Sequence, residues 1–513
     1  MTSSRLRRPL LALALGAAVA AVAAPAANAA ERHSAQRPNV VVVMTDDQDF
    51  RSMWDLPKTR RLVVDRGTTF ATNVVNFPLC CPSRATYYTG EYAHNHGVLW
   101  NTFPEGGYYR FKGKETLPVW LQRAGYRTAH VGKYLNRYTD VAPPGKPAPG
   151  WDVWHTVPNP RYYDYVISSN GGVRYHGLDP GDYITTVLNR YARRVIRKLG
   201  RGDRPFYLQL DHRAPHTGPG RRDSSRCMKA AIPAPRDAGL FRRAALPRPP
   251  SFNERDMSDK PSFLRRLDRL GSSQVKRMRK RWSCALASLR EVDRGIRRML
   301  SVLRDLGEAS QTAILLTSDN GFFYGEHRVT VGKVLPYEEA ERLPLIMRVP
   351  PPYRDFEPRI PRLHQVAANI DLAPTILALA DAGPCSTCRV MDGRSLVDLI
   401  NGNASSWPGD RGILLEYRVR RASSSPTCHY TAIHTGDREY IEHSRLVRGG
   451  TCVGAEEREL YDLTSDPFQR ENLCAGGCPG GRGQDELEER LQVLRGCQGI
   501  AGRDPQPPSG YCE

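Results

Sequence analysis

A pair of adjacent cysteines at the start of a short helical segment is the part of the chain best suited to chemistry. Cys80 and Cys81 precede Pro82, a residue favoured at the first position of a helix, and Gly90 is typical of a helix end. This pattern predicts a helix with Cys80 just before its N-terminus, where free backbone N–H groups favour a negative charge. On these grounds alone Cys80 is either a nucleophile or a buried structural thiol.

Five apolar runs of strand length predict the scaffold that positions such a helix. Runs of this kind suit strands buried on both faces, as in a parallel sheet. Helix-like stretches between them, such as 117–124 and 285–306, favour an α/β sandwich with helices on both faces. Polar residues follow several strand ends, where open α/β sheets place their sites. The runs lie at 39–44, 128–131, 206–210, 312–317 and 345–349.

From about residue 408 the pattern changes to short strands. We expect a smaller antiparallel C-terminal subdomain, closed by a helix near 485–494. Its strands are predicted at 413–417, 429–434, 439–442 and 460–463. Residues 220–280 are rich in Arg and Pro and predict a long surface excursion. The expected organisation is a signal peptide at 1–29, a catalytic domain at 30–407 and a C-terminal subdomain with a disulfide-rich tail at 408–513.

The first thirty residues have the pattern of an export signal. Arg5, Arg7 and Arg8 precede the apolar stretch 10–24, which a small-x-small cleavage site follows at 27–29. An uncleaved membrane anchor is the alternative, but the stretch is short for a membrane span. We expect a secreted chain that begins near residue 30 and has no membrane partner after cleavage. Loss of the three arginines would change the net charge from +20 to +17.

The composition sets broad limits on function. With 513 residues and a mean hydropathy of −0.51, the chain is not a multi-span membrane protein. The net charge of +20 is either a solvated, Arg-rich surface or a field that attracts anionic substrates. No nucleic-acid-binding motif accompanies the charge, so a nucleic-acid partner is not expected.

Ten of the twelve cysteines lie from Cys227 onward, which suggests up to five disulfides in an exported chain. The pairs Cys385/Cys388 and Cys474/Cys478 have the spacing of zinc half-sites, but the exported context favours disulfides. Adjacent cysteines rarely bridge to each other, so at least one of the pair at 80–81 is expected to have another purpose.

The segment Cys80-Cys81-Pro82-Ser83-Arg84, separated by four residues from Thr89-Gly90, resembles the signature of the type I sulfatases. In that family the first cysteine is oxidised to formylglycine by a formylglycine-generating enzyme. Tyr88 stands where the family usually has Leu, at a position that supports the helix and not the chemistry. The resemblance covers about residues 38–473. It implies an alkaline-phosphatase-like sandwich with a large mixed, mostly parallel sheet.

The same resemblance assigns a metal site. Asp46 and Asp47 after the first strand, and Asp319 and Asn320 after the run 312–317, look like the family's metal ligands together with the modified Cys80. Taken alone, each acidic pair is more typical of a helix cap or a solvated turn. Oxygen donors without His or Cys side chains suit a hard cation, with Ca²⁺ favoured over Mg²⁺.

Four cationic or imidazole side chains are assigned by resemblance as well. Lys133, His216 and Lys333 resemble the family's sulfate-contacting residues, and Arg84 would hold the modified cysteine. His216 is the candidate acid for the leaving alcohol, because imidazole titrates near neutral pH. Many arylsulfatases carry a His where this chain has Leu135, so a basic group assigned to that His must come from elsewhere.

Several stretches look like the N-acetylglucosamine-6-sulfatase branch and imply a 6-O-sulfated glucosamine substrate. They lie at 94–97, 132–136, 150–151, 162–163 and 251–254. In the implied mechanism, hydrated formylglycine attacks the sulfate-ester sulfur and its second hydroxyl then expels sulfate. The alternatives are an arylsulfatase of broad specificity, a phosphodiester or phosphonate monoester hydrolase of the same fold, and an inactive binding protein for sulfated polymers.

Overall fold

Two β-sheets of very different size organise the chain. The computed structural model describes residues 37–218, 227, 229–354, 359–382, 389–418, 427–447 and 451–513. The strands are β1 (Asn39–Asp46), β2 (Thr68–Phe70), β3 (Asn73–Val74), β4 (Arg127–Gly132), β5 (Val153–Thr156), β6 (Tyr165–Ser169), β7 (Gly172–His176), β8 (Phe206–Pro215), β9 (Thr312–Ser318), β10 (Leu345–Arg348), β11 (Arg362–Leu363), β12 (Ala367–Ala368), β13 (Ile413–Tyr417), β14 (Tyr430–His434), β15 (Arg438–Val447) and β16 (Thr451–Asp462).

Helices cover the faces of the larger sheet and one face of the smaller. They are α1 (Pro57–Leu62), α2 (Cys80–Thr89), α3 (Ala93–His96), α4 (Leu117–Arg123), α5 (Tyr138–Val141), α6 (Ile184–Leu199), α7 (Ser262–Arg265), α8 (Ser272–Asp305), α9 (Glu338–Glu341), α10 (Leu372–Leu379), α11 (Val397–Ile400) and α12 (Arg482–Leu494). Short 3-10 helices lie at Arg51–Asp55, Val64–Arg66, Pro180–Asp182, Pro235–Asp237, Glu308–Ser310, Pro351–Tyr353, Asn369–Asp371 and Ala404–Ser406.

The larger sheet has ten strands in the order β11-β2-β10-β9-β1-β8-β4-β5-β6-β7. β1 lies between β8 and β9 and is parallel to both, and β4 is parallel to β8 on its far side. β10 and the hairpin β6–β7 are antiparallel, so the sheet is mixed but has a parallel centre. The predicted α/β architecture is therefore confirmed.

Strand β1 shows why the sheet must be covered on both faces. All eight of its residues are buried. Val41 and Val43 pack into the same hydrophobic cluster as apolar side chains of α6 and α8. Val40, Val42 and Met44 point to the opposite face and pack with α2, α4 and α10. Because side chains alternate along a strand, a continuous apolar run requires two covered faces.

The smaller sheet contains β13–β16 in antiparallel order, as predicted for the C-terminal part of the chain. Leu487, Leu491 and Leu494 of α12 pack on it, which confirms the expected closing helix. β15 and β16 are longer than the strands predicted at 439–442 and 460–463. The boundary between a domain at 30–407 and a subdomain at 408–513 stays a prediction.

The helix predicted at 285–306 is confirmed as α8, but its early start and the hairpin β6–β7 were not predicted from the sequence. α8 begins at Ser272 and has 34 residues, so it occupies the end of the expected excursion at 220–280. Its first turns are mostly exposed and basic, which weakens the apolar periodicity that marks a helix. The hairpin β6–β7 was missed because most β7 side chains are exposed. Residues 219–226 and 228 of the excursion lie outside the described residues.

Three disulfides join described residues, and Cys428 is also disulfide-bonded. Cys474 and Cys478 bridge to each other, so this pair is a disulfide and not a zinc half-site. Cys80 and Cys81 are both free and buried, as expected for adjacent cysteines. Cys385 and Cys388 lie outside the described residues. The bridges are Cys227–Cys284, Cys474–Cys478 and Cys497–Cys512.

Within the described residues, no helix is both long and apolar enough to cross a membrane. The predicted signal peptide falls in residues 1–36, outside the described part.

Adjacent tyrosines of α2 provide a matched test of core packing. The Tyr87 hydroxyl donates a hydrogen bond to Gln209 Oε1 at 2.7 Å, whereas the buried Tyr88 hydroxyl has no partner among the described residues. Tyr87→Phe should therefore lower the free energy of unfolding by about 1 kcal/mol, and Tyr88→Phe should leave it unchanged or raise it. Denaturant unfolding of both variants checks this. Equal destabilisation by the two substitutions would contradict it.

Candidate active site

Parallel strands bring the predicted polar residues to one edge of the larger sheet. Asp46 ends β1, and Asp47 follows it with a φ of 64°, a left-handed conformation that turns the chain sharply after the strand. Asp319 and Asn320 follow β9, the neighbouring strand. Lys133 follows β4 and His216 follows β8 at the same edge. Carboxyl ends of parallel strands share an edge, so residues distant in sequence meet there.

Helix α2 presents Cys80 to this edge. The helix begins at Cys80, so Pro82 is its third residue and not its first as the sequence suggested, while Gly90 ends it with a φ of 72°. Cys80 is 3% exposed. Its Sγ lies 3.6 Å from Asp46 Oδ1 and accepts a hydrogen bond from Lys333 Nζ at 2.9 Å.

The unmodified thiol of Cys80 is poorly suited to act as a nucleophile. Burial raises the pKa of Cys80 to about 11, although Lys133 and Lys333 act in the opposite direction. A thiol with this pKa is almost entirely protonated at neutral pH, whereas the thiolate is the nucleophilic form.

Arg84, one turn further along α2, links the two halves of the site. Its guanidinium is buried, with Nε donating to Asp319 Oδ2 at 2.9 Å and Nη1 donating to the Lys133 carbonyl at 2.8 Å. Nη1 also lies 3.1 Å from Asp211 Oδ1. Nη2 is buried and has no hydrogen-bond partner among the described residues, so one donor is available to a bound group.

Asp211 is a site residue that sequence reasoning missed. It lies inside β8, where it contacts Arg84 and also pairs with His130 Nε2 at 3.0 Å. A single acidic residue within a strand has no spacing signal that separates it from an ordinary polar residue. An acid in an otherwise buried run is the clue, because charged residues are rarely fully buried without a partner.

Two lysines neutralise the aspartates that follow β1. Lys133 Nζ lies 2.8 Å from Asp46 Oδ2 and 3.6 Å from Asp319 Oδ2, and Lys333 Nζ forms a close ion pair with Asp47. Burial opposes ionisation of Asp46, but Lys133 and His216 together hold its pKa below the usual value. For Asp47, burial is likewise outweighed by Lys333 and His216, and its pKa is lowered. Both carboxylates are therefore charged at neutral pH.

His216 faces the same carboxylates. Its Nε2 lies 3.6 Å from Asp47 Oδ2, and its Nδ1 lies 2.6 Å from the Thr217 carbonyl, which assigns the proton of a neutral ring to Nδ1. Burial lowers the pKa of His216, while Asp46 and Asp47 act to raise it. His216 can act as an acid only when Nε2 carries a proton, and the carboxylates of Asp46 and Asp47 stabilise that protonated ring.

Two carboxylates, a thiol and an imidazole of the site form a group that could hold a metal ion. Potential ligand atoms of Asp46, Asp47, Cys80 and His216 lie within 4.8 Å of one another. Asn320 donates through Nδ2 to Asp47 Oδ1 at 2.7 Å, which leaves its buried Oδ1 with no hydrogen-bond partner among the described residues. An unpaired amide oxygen beside carboxylates is a typical calcium ligand.

The charges of the site are also compatible with a bound cation. Four buried carboxylates lie around three cationic side chains, so one negative charge is in excess. A divalent ion would convert this excess to one positive charge, which matches the single negative charge of a sulfate monoester. The carboxylates are Asp46, Asp47, Asp211 and Asp319, and the cations are Arg84, Lys133 and Lys333.

A cavity of about 560 Å³ opens onto these residues. Cys80, Lys133, His216 and Lys333 all line it, so the structure brings together the predicted chemical groups. Leu135, at the position where many arylsulfatases have His, forms an apolar part of the wall. Asn136, from the predicted stretch 132–136, also lines the cavity. Further lining residues that the sequence analysis did not single out include Asn101, Thr102, Asn159 and Arg213.

Comparison with known families decides what this arrangement is. The family model described as sulfatase matches residues 38–382, and the model described as N-sulphoglucosamine sulphohydrolase, C-terminal, matches residues 325–495. The chain belongs to the sulfatase family. It is a sulfatase enzyme, and the predicted resemblance to this family is confirmed.

Relatives of this sulfatase include several sulfatases of named activity. It is 30% identical to N-acetylglucosamine-6-sulfatase of Capra hircus, over 92% of this chain and 86% of that protein. It is 32% identical to an arylsulfatase of Volvox carteri, over 92% of this chain and 76% of the relative. Extracellular sulfatase homologues of Caenorhabditis elegans and Drosophila melanogaster are longer proteins, of which the aligned part spans 49% and 34%.

Solved structures confirm the fold of this sulfatase. The structure of BT4656 in complex with D-glucosamine-2-N,6-O-disulfate matches with a TM-score of 0.72 and 24% identity, over 90% of this chain and 98% of that one. A phosphonate monoester hydrolase of Agrobacterium radiobacter matches with a TM-score of 0.66 and 18% identity, over 92% and 99%. At these identities the likeness establishes the alkaline-phosphatase-like fold alone.

We expect Cys80, and not Cys81, to be the residue on which activity depends. Both side chains are buried, so Cys80→Ala and Cys81→Ala should cost a similar free energy of unfolding, about 1 kcal/mol. Only Cys80→Ala should abolish turnover, because Cys80 alone reaches the cavity. Sulfate release and thermal unfolding of both variants check this. Full activity of Cys80→Ala would contradict it.

We expect one calcium ion per chain, with Asn320 among its ligands. Asn320→Ala should lower the affinity for calcium and abolish most of the activity. Excess calcium should restore part of that activity. Asp319→Ala should not be rescued, because Arg84 also loses its 2.9 Å partner. Metal analysis and activity across a calcium series check both variants. Stoichiometric zinc, or full activity without any metal, would contradict the assignment.

Proposed function

We propose that this sulfatase hydrolyses sulfate monoesters of sugars and prefers 6-O-sulfated glucosamine residues to simple aryl sulfates. The observation that carries the proposal is the shared cavity: Cys80, Lys133 and Lys333 line it together with the amide side chains of Asn101, Asn136 and Asn159. Charged groups suit the sulfate, and amides suit the hydroxyls of a sugar ring. The Capra hircus relative, named N-acetylglucosamine-6-sulfatase, supports the choice of sugar.

In this proposal formylglycine made from Cys80 supplies the nucleophile. The oxidation of Cys80 to formylglycine needs a formylglycine-generating enzyme as partner. The hydrated aldehyde then carries two hydroxyls where the Sγ atom of Cys80 now lies. Arg84 Nη2, which is buried and has no partner among the described residues, has the charge and the free N–H groups to hold one of them. The first turn of α2 fixes this group relative to the carboxylates of β1.

The proposed metal is Ca²⁺, held by Asp46, Asp47, Asp319 and Asn320. When bound, it supplies Lewis acidity to a coordinated hydroxyl and neutralises the carboxylates around it. Lys133 and Lys333 then remain to stabilise negative charge that builds on the sulfate oxygens. Both ammonium groups stay charged, because neighbouring carboxylates outweigh burial and raise the pKa of each lysine.

His216 is the proposed proton donor to the leaving alcohol. It lines the cavity, its Nδ1 is held by the Thr217 carbonyl, and its Nε2 faces Asp47. A proton on Nε2 can pass to the ester oxygen as the bond to sulfur breaks. Asp46 and Asp47 stabilise the protonated ring, so the same carboxylates serve the cation and the acid.

Secretion belongs to this proposal as well. The N-terminal signal pattern and the disulfides both suit an exported chain. The extracellular sulfatase homologues of Caenorhabditis elegans and Drosophila melanogaster are consistent with that location.

A second candidate function is that of an arylsulfatase of broad specificity, which the Volvox carteri relative favours.

His216→Ala should slow hydrolysis of the sugar 6-sulfate more than hydrolysis of an activated aryl sulfate. Sugar alcohols are poorer leaving groups than phenols, so their departure depends more on protonation by an acid. We expect a loss of about 10²–10⁴-fold in kcat for the sugar and a smaller loss for a nitrophenyl sulfate. Steady-state kinetics with both substrates provide the comparison.

The wild-type enzyme serves as the reference for the substrate class. A higher kcat/KM for an unactivated aryl sulfate than for N-acetylglucosamine 6-sulfate would favour the broad arylsulfatase. A higher kcat/KM for a matched phosphate diester or phosphonate monoester would favour the other hydrolase class. If His216→Ala lost the same factor in kcat on both substrates, the acid role of His216 would be contradicted. The proposed substrate class would not be affected by that result.

A further inference from the structure

Arg213 is a cation of the cavity wall that no described carboxylate neutralises. It lines the same cavity as Cys80 and His216. The other three cationic side chains of this wall each have an anionic partner within 4 Å. Those pairs are Lys133 with Asp46, Lys333 with Asp47, and Arg137 with Asp140. A positive charge that has no neighbouring counter-charge and lies beside a site for an anionic ester is suited to bind an anion.

An irregularity in the sheet places Arg213 there. Between β1 and β8 the register shifts: Met44 pairs with Asp211, and Asp46 pairs with Pro215. Two residues of β1 are thus matched by four of β8, and Arg213 lies in the extra length. Such bulges redirect a side chain next to active sites. The Asp211 carboxylate, two residues earlier in β8, already pairs with Arg84.

The guanidinium is held in a fixed orientation. Its Nη2 donates to the Thr217 carbonyl at 2.6 Å, and its central carbon lies 5.8 Å from the centre of the Tyr162 ring. The Tyr162 hydroxyl donates to the His216 carbonyl at 2.8 Å. A Cβ at Gly218 would come within 3.1 Å of the Tyr162 ring and 3.4 Å of Arg213 Nη2, so this glycine lets the backbone close on the pair.

These contacts leave donors of Arg213 unused. Its Nε is buried away from the cavity, whereas Nη1 is accessible and has no acceptor among the described residues, and only Nη2 has a described acceptor. A guanidinium with free donors on a rigid fork suits carboxylate or sulfate oxygens in a bidentate geometry. The pre-formed orientation means that little side-chain entropy is lost when such an anion binds.

We propose that Arg213 binds a second anionic group of the glycan substrate, apart from the ester that is hydrolysed. This rests on the proposed function, because it assigns a second subsite to the same cavity. Lys133 and Lys333 serve the ester, and the apolar Leu135 wall offers that second anion no contact. The anion is a sulfate on the same sugar or a carboxylate on the neighbouring one. Arg213 is thus a specificity-determining residue that favours dianionic sugars.

The test compares sugars that differ by one anion. Glucosamine 6-sulfate is assayed with its amine acetylated, with its amine sulfated, and as an N-acetylated disaccharide with a neighbouring uronate. For Arg213→Gln we expect kcat/KM to fall about 10- to 100-fold on the dianionic sugar that the subsite accepts, mostly through KM. The monoanionic sugar should change by less than about threefold. Which dianion responds identifies the position of the second group.

Two further variants separate recognition from structure and from general charge. Arg213→Lys keeps the charge without the planar fork, so its preference for the dianion should lie between those of wild type and Arg213→Gln. Arg127→Gln removes a cation from the opposite end of β4 and should leave the preference unchanged. A fall on all sugars alike in Arg213→Gln would show a role in holding the Thr217 loop and overturn the proposal.

The remaining outcomes are also decisive. A wild-type enzyme that hydrolyses the three sugars with equal kcat/KM would overturn the second subsite and leave the proposed function intact. A wild-type enzyme that hydrolyses none of them, while cleaving aryl sulfates or phosphonate esters, would overturn the proposed function and this subsite with it.

Discussion

Mutual repulsion among four buried carboxylates is the constraint on which the rest of the site depends. Asp46, Asp47, Asp211 and Asp319 are all essentially inaccessible to solvent, where an unpaired charge costs several kcal/mol. Three cationic side chains reduce this repulsion without removing it. The excess negative charge is the reason why we propose a divalent cation here. Under that proposal, the bound cation would also let the site accept a sulfate ester, which is itself an anion.

The fold supplies the rigidity that such a site needs. Charges placed within 3–4 Å of one another must not relax apart, and the strands that carry them are buried on both faces. β1 lies between β8 and β9, so the residues at its end are fixed from two sides. Helix α2 then brings Cys80 and Arg84 from the covering layer down to the strand ends. A preorganised arrangement of this kind stabilises developing charge without reorganisation.

The parts of the molecule that a regular pattern encodes could be predicted from the sequence. Apolar runs gave the central strands, and the Cys-x-Pro-Ser-Arg segment identified Cys80 and Arg84 together with the family. Lys133, His216 and Lys333 were assigned through that family, and the structure brings them to one cavity. The roles of these residues stay predictions. Lys133 and His216 are placed by the ends of β4 and β8, whereas Lys333 lies in the loop between β9 and α9.

Other features depend on tertiary context and have no local signal. Asp211 lies within a strand, and its importance comes from Arg84, more than a hundred residues earlier. Arg213 was missed because a bulge, and not the strand period, decides where it points. The start of α8 was missed because exposed basic residues hide the helical period. The position of Pro82 shows how helix boundaries shift by a residue or two when packing fixes the first turn.

The thermal unfolding midpoint of metal-free protein, measured as calcium is added, tests the central claim most directly. It needs no substrate and no modified Cys80. If the carboxylates repel one another without a cation, the unfolding midpoint is low in the absence of calcium. Once the calcium concentration exceeds the dissociation constant, the midpoint rises with the logarithm of that concentration. Magnesium should produce a smaller shift, because it is smaller and demands a stricter geometry. A midpoint that calcium leaves unchanged would contradict the account.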